Sequence, residues 1–364
     1  MRRIFIILIG LLTGISMLAK ESNSSKKTVY TEAATLTLVG KIHNNTPIPY
    51  HRVDTALFKG FTDKENAQVR LSAGIAVAFR TNSTTITVKT SYAKPGFPSN
   101  TNGFSARGYD LYIKKDGKWI YAESGVAKDK ELGKNYVLIK DMDNSMKECL
   151  LYLPLFSELK SVKIGTEKGS VIEALPMPFR HRIAAFGSSY THGSGTSRSG
   201  MTYLAQLSRN TGLHFLGLGC SGNSRLQPYF CEVLCAAQAD AFLLDAFTNP
   251  NPAQMKERLF PFIERLQQAH PGKPLIFSAP VYKEERNFNL KRDSYQQDVI
   301  DTADSLMKIA VKKYEHVYYI RPVANSEDHN ATVDGNHPDN YGYTLWAKSI
   351  EKPLLKILKK YGIR

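Results

Sequence analysis

Four short runs in this 364-residue chain hold residue types that could share one reaction. Gly187-Ser188-Ser189 follows the apolar run Ile183 to Phe186. A serine on a glycine-flanked turn leaving a strand can keep its hydroxyl exposed, with backbone N–H groups close by for an oxyanion. Gly219-Cys220-Ser221-Gly222 follows the run Leu213 to Leu218. Glycine there permits a tight turn, so the Gly222 N–H can donate to a developing oxyanion. Asn249 follows Ala241 to Asp245 and offers a side-chain amide as a further donor, with Asn251 as its alternative. Asp334-Gly335-Asn336-His337 precedes the last helical segment. An Asp three residues ahead of a His can accept from Nδ1–H and leave Nε2 facing the serine. The chemistry this predicts is acyl transfer. The serine turn would supply the nucleophile, Asp334 and His337 the acid–base pair, and Gly222 N–H and Asn249 two oxyanion donors. Each run alone is ordinary loop material, and their common position after strands carries the reading.

That common position follows from the rhythm of the second half of the chain. After Pro176-Met177-Pro178, apolar strands are expected at Ile183 to Phe186, Leu213 to Leu218, Ala241 to Asp245, Leu275 to Ser278 and Val317 to Ile320. Helical periodicity falls at Met201 to Arg209, Tyr229 to Ala237, Gln254 to Gln268 and Tyr295 to Lys313. A closing helix, Tyr343 to Lys360, is expected to be interrupted early by Pro353. Strands alternating with helices give an α/β fold with a parallel sheet covered on both faces, and ligands bind such sheets beyond the strands' carboxyl ends. Between Tyr30 and Pro178 the pattern is instead short alternating or β-branched runs separated by Gly, Asn and Asp. Lys115-Asp116-Gly117-Lys118 is a hairpin signal, and a β-sandwich is expected.

With these residues in hand, the chain resembles the GDSL, or SGNH, hydrolase family. Its first block would be Gly187-Ser188-Ser189, with Ser188 in place of the usual Asp. The others would be Gly219-Cys220-Ser221-Gly222, Thr248-Asn249, and Asp334-Gly335-Asn336-His337-Pro338. The resemblance covers residues 179–360, with the blocks in family order. Gly108-Tyr109-Asp110-Leu111-Tyr112 is similar to the Gly-x-Asp-Leu-Tyr motif of the β-rich domain that precedes one branch of the family. Three positions depart from the pattern. The usual Gly-x-Asn-Asp is missing around Asn249, Gly217 stands where many relatives carry Asn, and Gln227 stands where this branch often has Glu. The resemblance implies a three-layer αβα, flavodoxin-like hydrolase domain behind a jelly-roll-like β-sandwich. It also implies a serine esterase acting on short-chain, acetyl esters of carbohydrates, with Ser189 as the nucleophile, the Ser189 N–H as a further oxyanion donor, no cofactor and no metal. His192, Arg198 and Arg225 are candidates to line the substrate pocket.

Composition sets the remaining bounds. With 42% hydrophobic and 22% charged residues the chain can form a packed core, which excludes disorder. The net charge is +15, yet basic runs never exceed two residues, which argues against a nucleic-acid partner. A diffuse positive field suits an anionic polysaccharide, although a basic solvated face is the plainer reading. Arg2 and Arg3 followed by the apolar run Ile4 to Leu12 have the layout of a signal peptide ending at Ala19, with an uncleaved anchor as the alternative. Export, without lipidation and without a lasting membrane span, is the expectation. The expected organisation is residues 1–19 signal peptide, 20–29 linker, 30–177 β-sandwich and 178–364 hydrolase domain. Three rivals stand beside the esterase: an acyltransferase using the same acyl-enzyme, a non-catalytic glycan-binding protein, and a metal-dependent hydrolase using Asp334, His337 and Asp339.

Overall fold

The computed structural model describes residues 27–364; the segment expected to be a signal peptide and most of the linker lie outside the described residues. The first half contains β1 (Thr28–Glu32), β2 (Thr37–Val39), α1 (Asp63–Val69), β3 (Ala76–Thr81), β4 (Ile86–Lys94) and α2 (Gly103–Arg107). It continues with β5 (Tyr109–Lys115), β6 (Lys118–Gly125), β7 (Asn135–Ile139), β8 (Lys147–Tyr152), β9 (Glu158–Glu167) and β10 (Ile172–Ala174). Pairing starts at Thr28, two residues inside the stretch read as linker.

These strands form two antiparallel sheets, ordered β1-β9-β4-β7 and β10-β3-β8-β5-β6, with β2 beside β3. The period of two in a strand decides what lies between them. Val77 and Phe79 of β3 point inward with Leu111 and Leu151 against Ile86, Val88, Val162 and Ile164 of the other sheet, so the domain is a β-sandwich. The intervening residues Ala76, Ala78, Tyr112, Leu150 and Tyr152 face the other way and pack with Phe179 and Ala205 of the second domain. The central strands β3 and β8 of that sheet are therefore buried on both faces. At the β5–β6 hairpin, Asp116 and Gly117 both have positive φ, as its two-residue turn requires.

The second half contains β11 (Arg180–Gly187), α3 (Ser189–His192), α4 (Tyr203–Thr211), β12 (Leu213–Gly219), α5 (Pro228–Cys235) and β13 (Ala241–Leu244). After them come α6 (Pro252–Ala269), β14 (Leu275–Ser278), α7 (Leu290–Lys313), β15 (Val317–Ile320) and α8 (Asn340–Lys359). All five strands are parallel in the order β12-β11-β13-β14-β15. Counted within the domain this is 2-1-3-4-5, the flavodoxin-like order, and its switch point lies at the carboxyl ends of β11 and β13. Ala184, Phe186, Leu218 and Phe277 pack under α5, α6 and α7, while Ile183, Ala185, Leu243 and Ile276 pack under α4 and α8. Three layers result.

The expected interruption at Pro353 does not occur, since α8 runs unbroken from Asn340 to Lys359. A proline inside a helix costs about 3 kcal/mol. Here Ile350, Leu354, Ile357 and Leu358 stay buried on either side of it, and that burial keeps the helix continuous.

Candidate active site

β11 ends in Gly187 and delivers Ser188 as the N-cap of α3, where the Ser188 hydroxyl accepts from the Tyr190 N–H at 3.1 Å. Ser189 is therefore the first helical residue, whose N–H has no intrahelical acceptor. It is 7% exposed. Ser188 is tied from below by Asp245, the residue after β13, which also accepts from Thr191 and Thr248. Burial pushes the Asp245 carboxyl up, against the pull of these hydrogen bonds. β12 must pass very close to α3. A Cβ on Gly219 would sit 2.1 Å from the His192 nitrogen, so only glycine fits.

The loop after β12 turns at Gly222, with φ +73°, and the side on which a Cβ would stand is open. Its N–H has no acceptor among the described residues. The Asn249 Oδ1 accepts from the Ser224 hydroxyl at 3.0 Å, which fixes the amide by its oxygen and leaves the NH₂ as the donor end. Ser224 gave no sign in the sequence. Only the fold brings the two loops side by side.

His337 stands on the loop before α8, and its Nε2 is 3.0 Å from Ser189 Oγ. Its Nδ1 is 2.7 Å from Asp334 Oδ2, and Asp334 Oδ1 accepts from the N–H groups of His337 and Asn336 at 2.7 and 3.1 Å. Burial pushes the Asp334 carboxyl up, but those backbone donors and the imidazole outweigh it and hold it below its ordinary value. The loop is braced by Tyr190, whose hydroxyl donates to Asn336 Oδ1 at 2.6 Å and whose ring meets His337 edge-on. The Glu285 N–H bonds the Gly335 carbonyl at 2.8 Å from the other side. Asn100 of the β-sandwich also reaches this pair, 3.3 Å from Asp334 Oδ2 and 3.2 Å from His337 Nδ1. Nothing in the sequence pointed to Asn100. Asp245 did carry a signal, as a carboxylate ending an apolar strand.

The structure takes the three expected pocket residues elsewhere. His192 is buried, with Nε2 on the Leu155 carbonyl at 2.8 Å, Nδ1 on the Ser221 hydroxyl at 3.2 Å and its ring stacked on Phe156. No ring nitrogen is left for a substrate. Burial and then the Arg52 charge push its pKa down to about 3. Arg198 is drawn away by the buried Asp110, both of whose oxygens it meets at 2.8 Å, and by the Tyr112 hydroxyl. Arg225 lines a separate groove of about 830 Å³ with Tyr229, Glu257 and Arg258, whose walls include neither Ser189 nor His337. Of the residues in the metal-hydrolase rival, Asp339 caps α8 by accepting from the Gly342 N–H at 2.9 Å. Among the described residues, no helix is long and apolar enough to cross a membrane.

The Arg198 contact explains the Gly-x-Asp-Leu-Tyr run. Alternation turns Tyr109 and Leu111 into the sandwich core and Asp110 and Tyr112 toward the second domain, where Asp110 also accepts from the Gly200 N–H. A second strut is Arg52, fully buried, which donates to the carbonyls of Gln68, Leu71 and Gly219 at the foot of the Gly222 loop.

Comparison with known proteins agrees with both halves. Residues 180–355 match the GDSL-like lipase/acylhydrolase family, and residues 28–172 match the GxDLY domain found at the N-terminus of SGNH-hydrolase-type esterases. A protein from Bacteroides ovatus assigned to the GDSL-like lipases is 36% identical over 92% of this chain and 98% of its own, with a TM-score of 0.87. Two further structures share the fold. The salicylyl-acyltransferase SsfX3 of a tetracycline biosynthetic pathway is 20% identical over 93% of this chain and 99% of its own, with a TM-score of 0.67. A family two carbohydrate esterase from Cellvibrio japonicus is 14% identical over 92% and 99%, with a TM-score of 0.58. No curated protein matches. The chain belongs to the GDSL-like lipase/acylhydrolase, or SGNH hydrolase, family, in the branch that carries a GxDLY domain ahead of the hydrolase domain.

Proposed function

We propose that this hydrolase is an exported serine esterase that removes short acyl groups, acetyl above all, from carbohydrate hydroxyls. The observation that carries the reading is the line of contacts from Asp334 through His337 to Ser189, at 2.7 and 3.0 Å. His337 Nε2 takes the Ser189 proton as Oγ attacks the ester carbonyl. Asp334 then faces the imidazolium. The tetrahedral oxyanion is held by the N–H groups of Ser189 and Gly222 and the Asn249 amide. On collapse the carbon–oxygen bond to the alcohol breaks, and His337 returns its proton to that alcohol. Water repeats the sequence on the acyl-enzyme and releases the carboxylic acid. Neither Ser189 nor His337 needs a metal or cofactor for these steps.

The substrate class rests on likeness to carbohydrate esterases, among them an acetyl xylan esterase from Butyrivibrio proteoclasticus. Export rests on the character of residues 1–19. The test is hydrolysis of chromogenic acetate and longer acyl esters by wild type and Ser189→Ala, with and without chelator. Chelator-resistant acetate cleavage that disappears in Ser189→Ala and declines with acyl length is the expected result. Equal rates in both proteins would overturn the nucleophile. Acyl transfer to an added sugar in preference to water would make the enzyme an acyltransferase. Glycan binding with no turnover on any ester would make it a binding protein.

A further inference from the structure

We propose that Asn100 is a positioning residue of the acid–base pair, so that the β-sandwich supplies part of the active site. The inference rests on the esterase reading above.

Asn100 lies on the loop between β4 and α2, more than 230 residues before the pair it touches. Its Nδ2 meets Asp334 Oδ2 at 3.3 Å and stands 3.2 Å from His337 Nδ1. The other carboxylate oxygen is already engaged by the backbone N–H groups of Asn336 and His337. Oδ2 therefore has two side-chain partners, the imidazole and the Asn100 amide. One comes from each domain.

The loop that carries Asn100 is pinned at both ends. Before it, the Gly96 N–H donates to the Ser157 hydroxyl at 3.1 Å, and its carbonyl accepts from Arg107 at 3.0 Å. The Arg107 guanidinium also covers the Phe97 ring. After it, Asn102 caps α2, and Ser105 meets Thr196 at 2.9 Å. Next to Asn100, the Thr101 hydroxyl accepts from the Gly195 N–H at 3.3 Å, on the segment that follows the nucleophile turn. A donor held this firmly fixes the plane of the Asp334 carboxylate, and through it the plane of the imidazole that must keep Nε2 on Ser189. The charged and polar groups facing His337 are Asp334, Ser189 and the edge of Tyr190, so Asn100 adds a neutral dipole with its positive end toward Nδ1.

The test uses the full chain, with kcat and KM for a chromogenic acetate ester measured across pH in wild type, Asn100→Ala, Asn100→Asp and Ser189→Ala. Asn100 is half-buried on a loop, so thermal unfolding is expected to stay near wild type. Asn100→Ala should lower kcat about tenfold, with KM within about twofold. Asn100→Asp puts a carboxylate beside the imidazole and should move the acid limb of kcat/KM about one unit toward higher pH, which loss of packing alone would not do. Wild-type kcat and an unmoved limb in both variants, with turnover still dependent on Ser189, would overturn the role of Asn100 alone. Turnover that does not depend on Ser189 would overturn the esterase reading and this inference with it.

Discussion

Asp245 holds Ser188 through a single oxygen: Oδ2 accepts from the Ser188 N–H at 3.0 Å and from its hydroxyl at 2.6 Å. The first family block usually carries an Asp where this chain has Ser188. Here the carboxylate comes instead from the end of β13, the neighbouring strand across the switch point. Thr191 donates to the same oxygen at 3.2 Å and Thr248 to the other at 2.5 Å, so the buried charge has a full set of partners. The turn that carries Ser189 is built on that cluster.

Restoring the family's usual residue alone should therefore harm this protein. Ser188→Asp would set two carboxylates against each other in a buried site, where like charges cannot both ionise cheaply. Thermal unfolding should drop by several degrees and esterase kcat by about a hundredfold. The exchange Ser188→Asp with Asp245→Ser should recover much of the lost stability. A single variant as stable and active as wild type would show that Asp245 does not position the turn.

Asn249→Ala should lower kcat by about 10² to 10³, the usual effect of losing one oxyanion donor, with little change in KM. Ser224→Ala should act in the same direction but more weakly, about tenfold, because it removes only the partner that orients the amide. Steady-state kinetics on an acetate ester separates the two. If Asn249→Ala keeps wild-type kcat, Ser189 and Gly222 supply the oxyanion site without it.

Ser189, Gly222, Asn249, Asp334 and His337 stood out because catalysis at an α/β sheet draws on strand ends, and apolar runs reveal strand ends. Leu275 to Ser278 and Val317 to Ile320 agree with the structure to the residue. Periodicity reports which face is buried, but it does not report what the face meets. His214 and His270 are both buried, and no local run of residues marks their partners distant in sequence, Gly40 and Leu234. Arg198 follows the Ser189 turn and reads locally as a pocket residue. Its partner Asp110 lies 88 residues earlier, in the other domain. Asn100 escaped notice for the same reason, since no local pattern marks an amide whose role exists only after the domains dock.

The contact between Asp110 and Arg198 should be a large contributor to the joining of the domains. The Asp110 side chain is fully buried, and Arg198 also covers the Tyr121 ring at 4.2 Å. Breaking a buried pair by removing one partner typically costs about 3 to 5 kcal/mol, whereas removing both costs less. Asp110→Ala and Arg198→Ala should each lower the thermal midpoint clearly, and the double variant should fall short of their sum. Additive losses in that cycle would mean that the two groups do not act as a pair.

Acid should loosen the same seam through two histidines. His214 Nε2 accepts from the Gly40 N–H at 2.8 Å and must be neutral to do so, and burial disfavours a charge on His192 between the Leu155 carbonyl and the Ser221 hydroxyl. Burial and then Arg182 push His214 down to about 4, and burial and then Arg52 push His192 down to about 3. An unfolded histidine titrates near 6.5, as a typical value. Both folded values lie below it, so their contribution to stability is fully present above pH ~6.5 and is lost as pH falls. Between about pH 6 and pH 4 each should remove up to ~1.4 kcal/mol per pH unit. Below that His214 protonates in the folded state and only His192 continues. Urea unfolding followed from pH 7 to pH 4 should show this slope, and His214→Gln should flatten it by about one proton. A slope unchanged in His214→Gln would mean that this histidine does not report the seam.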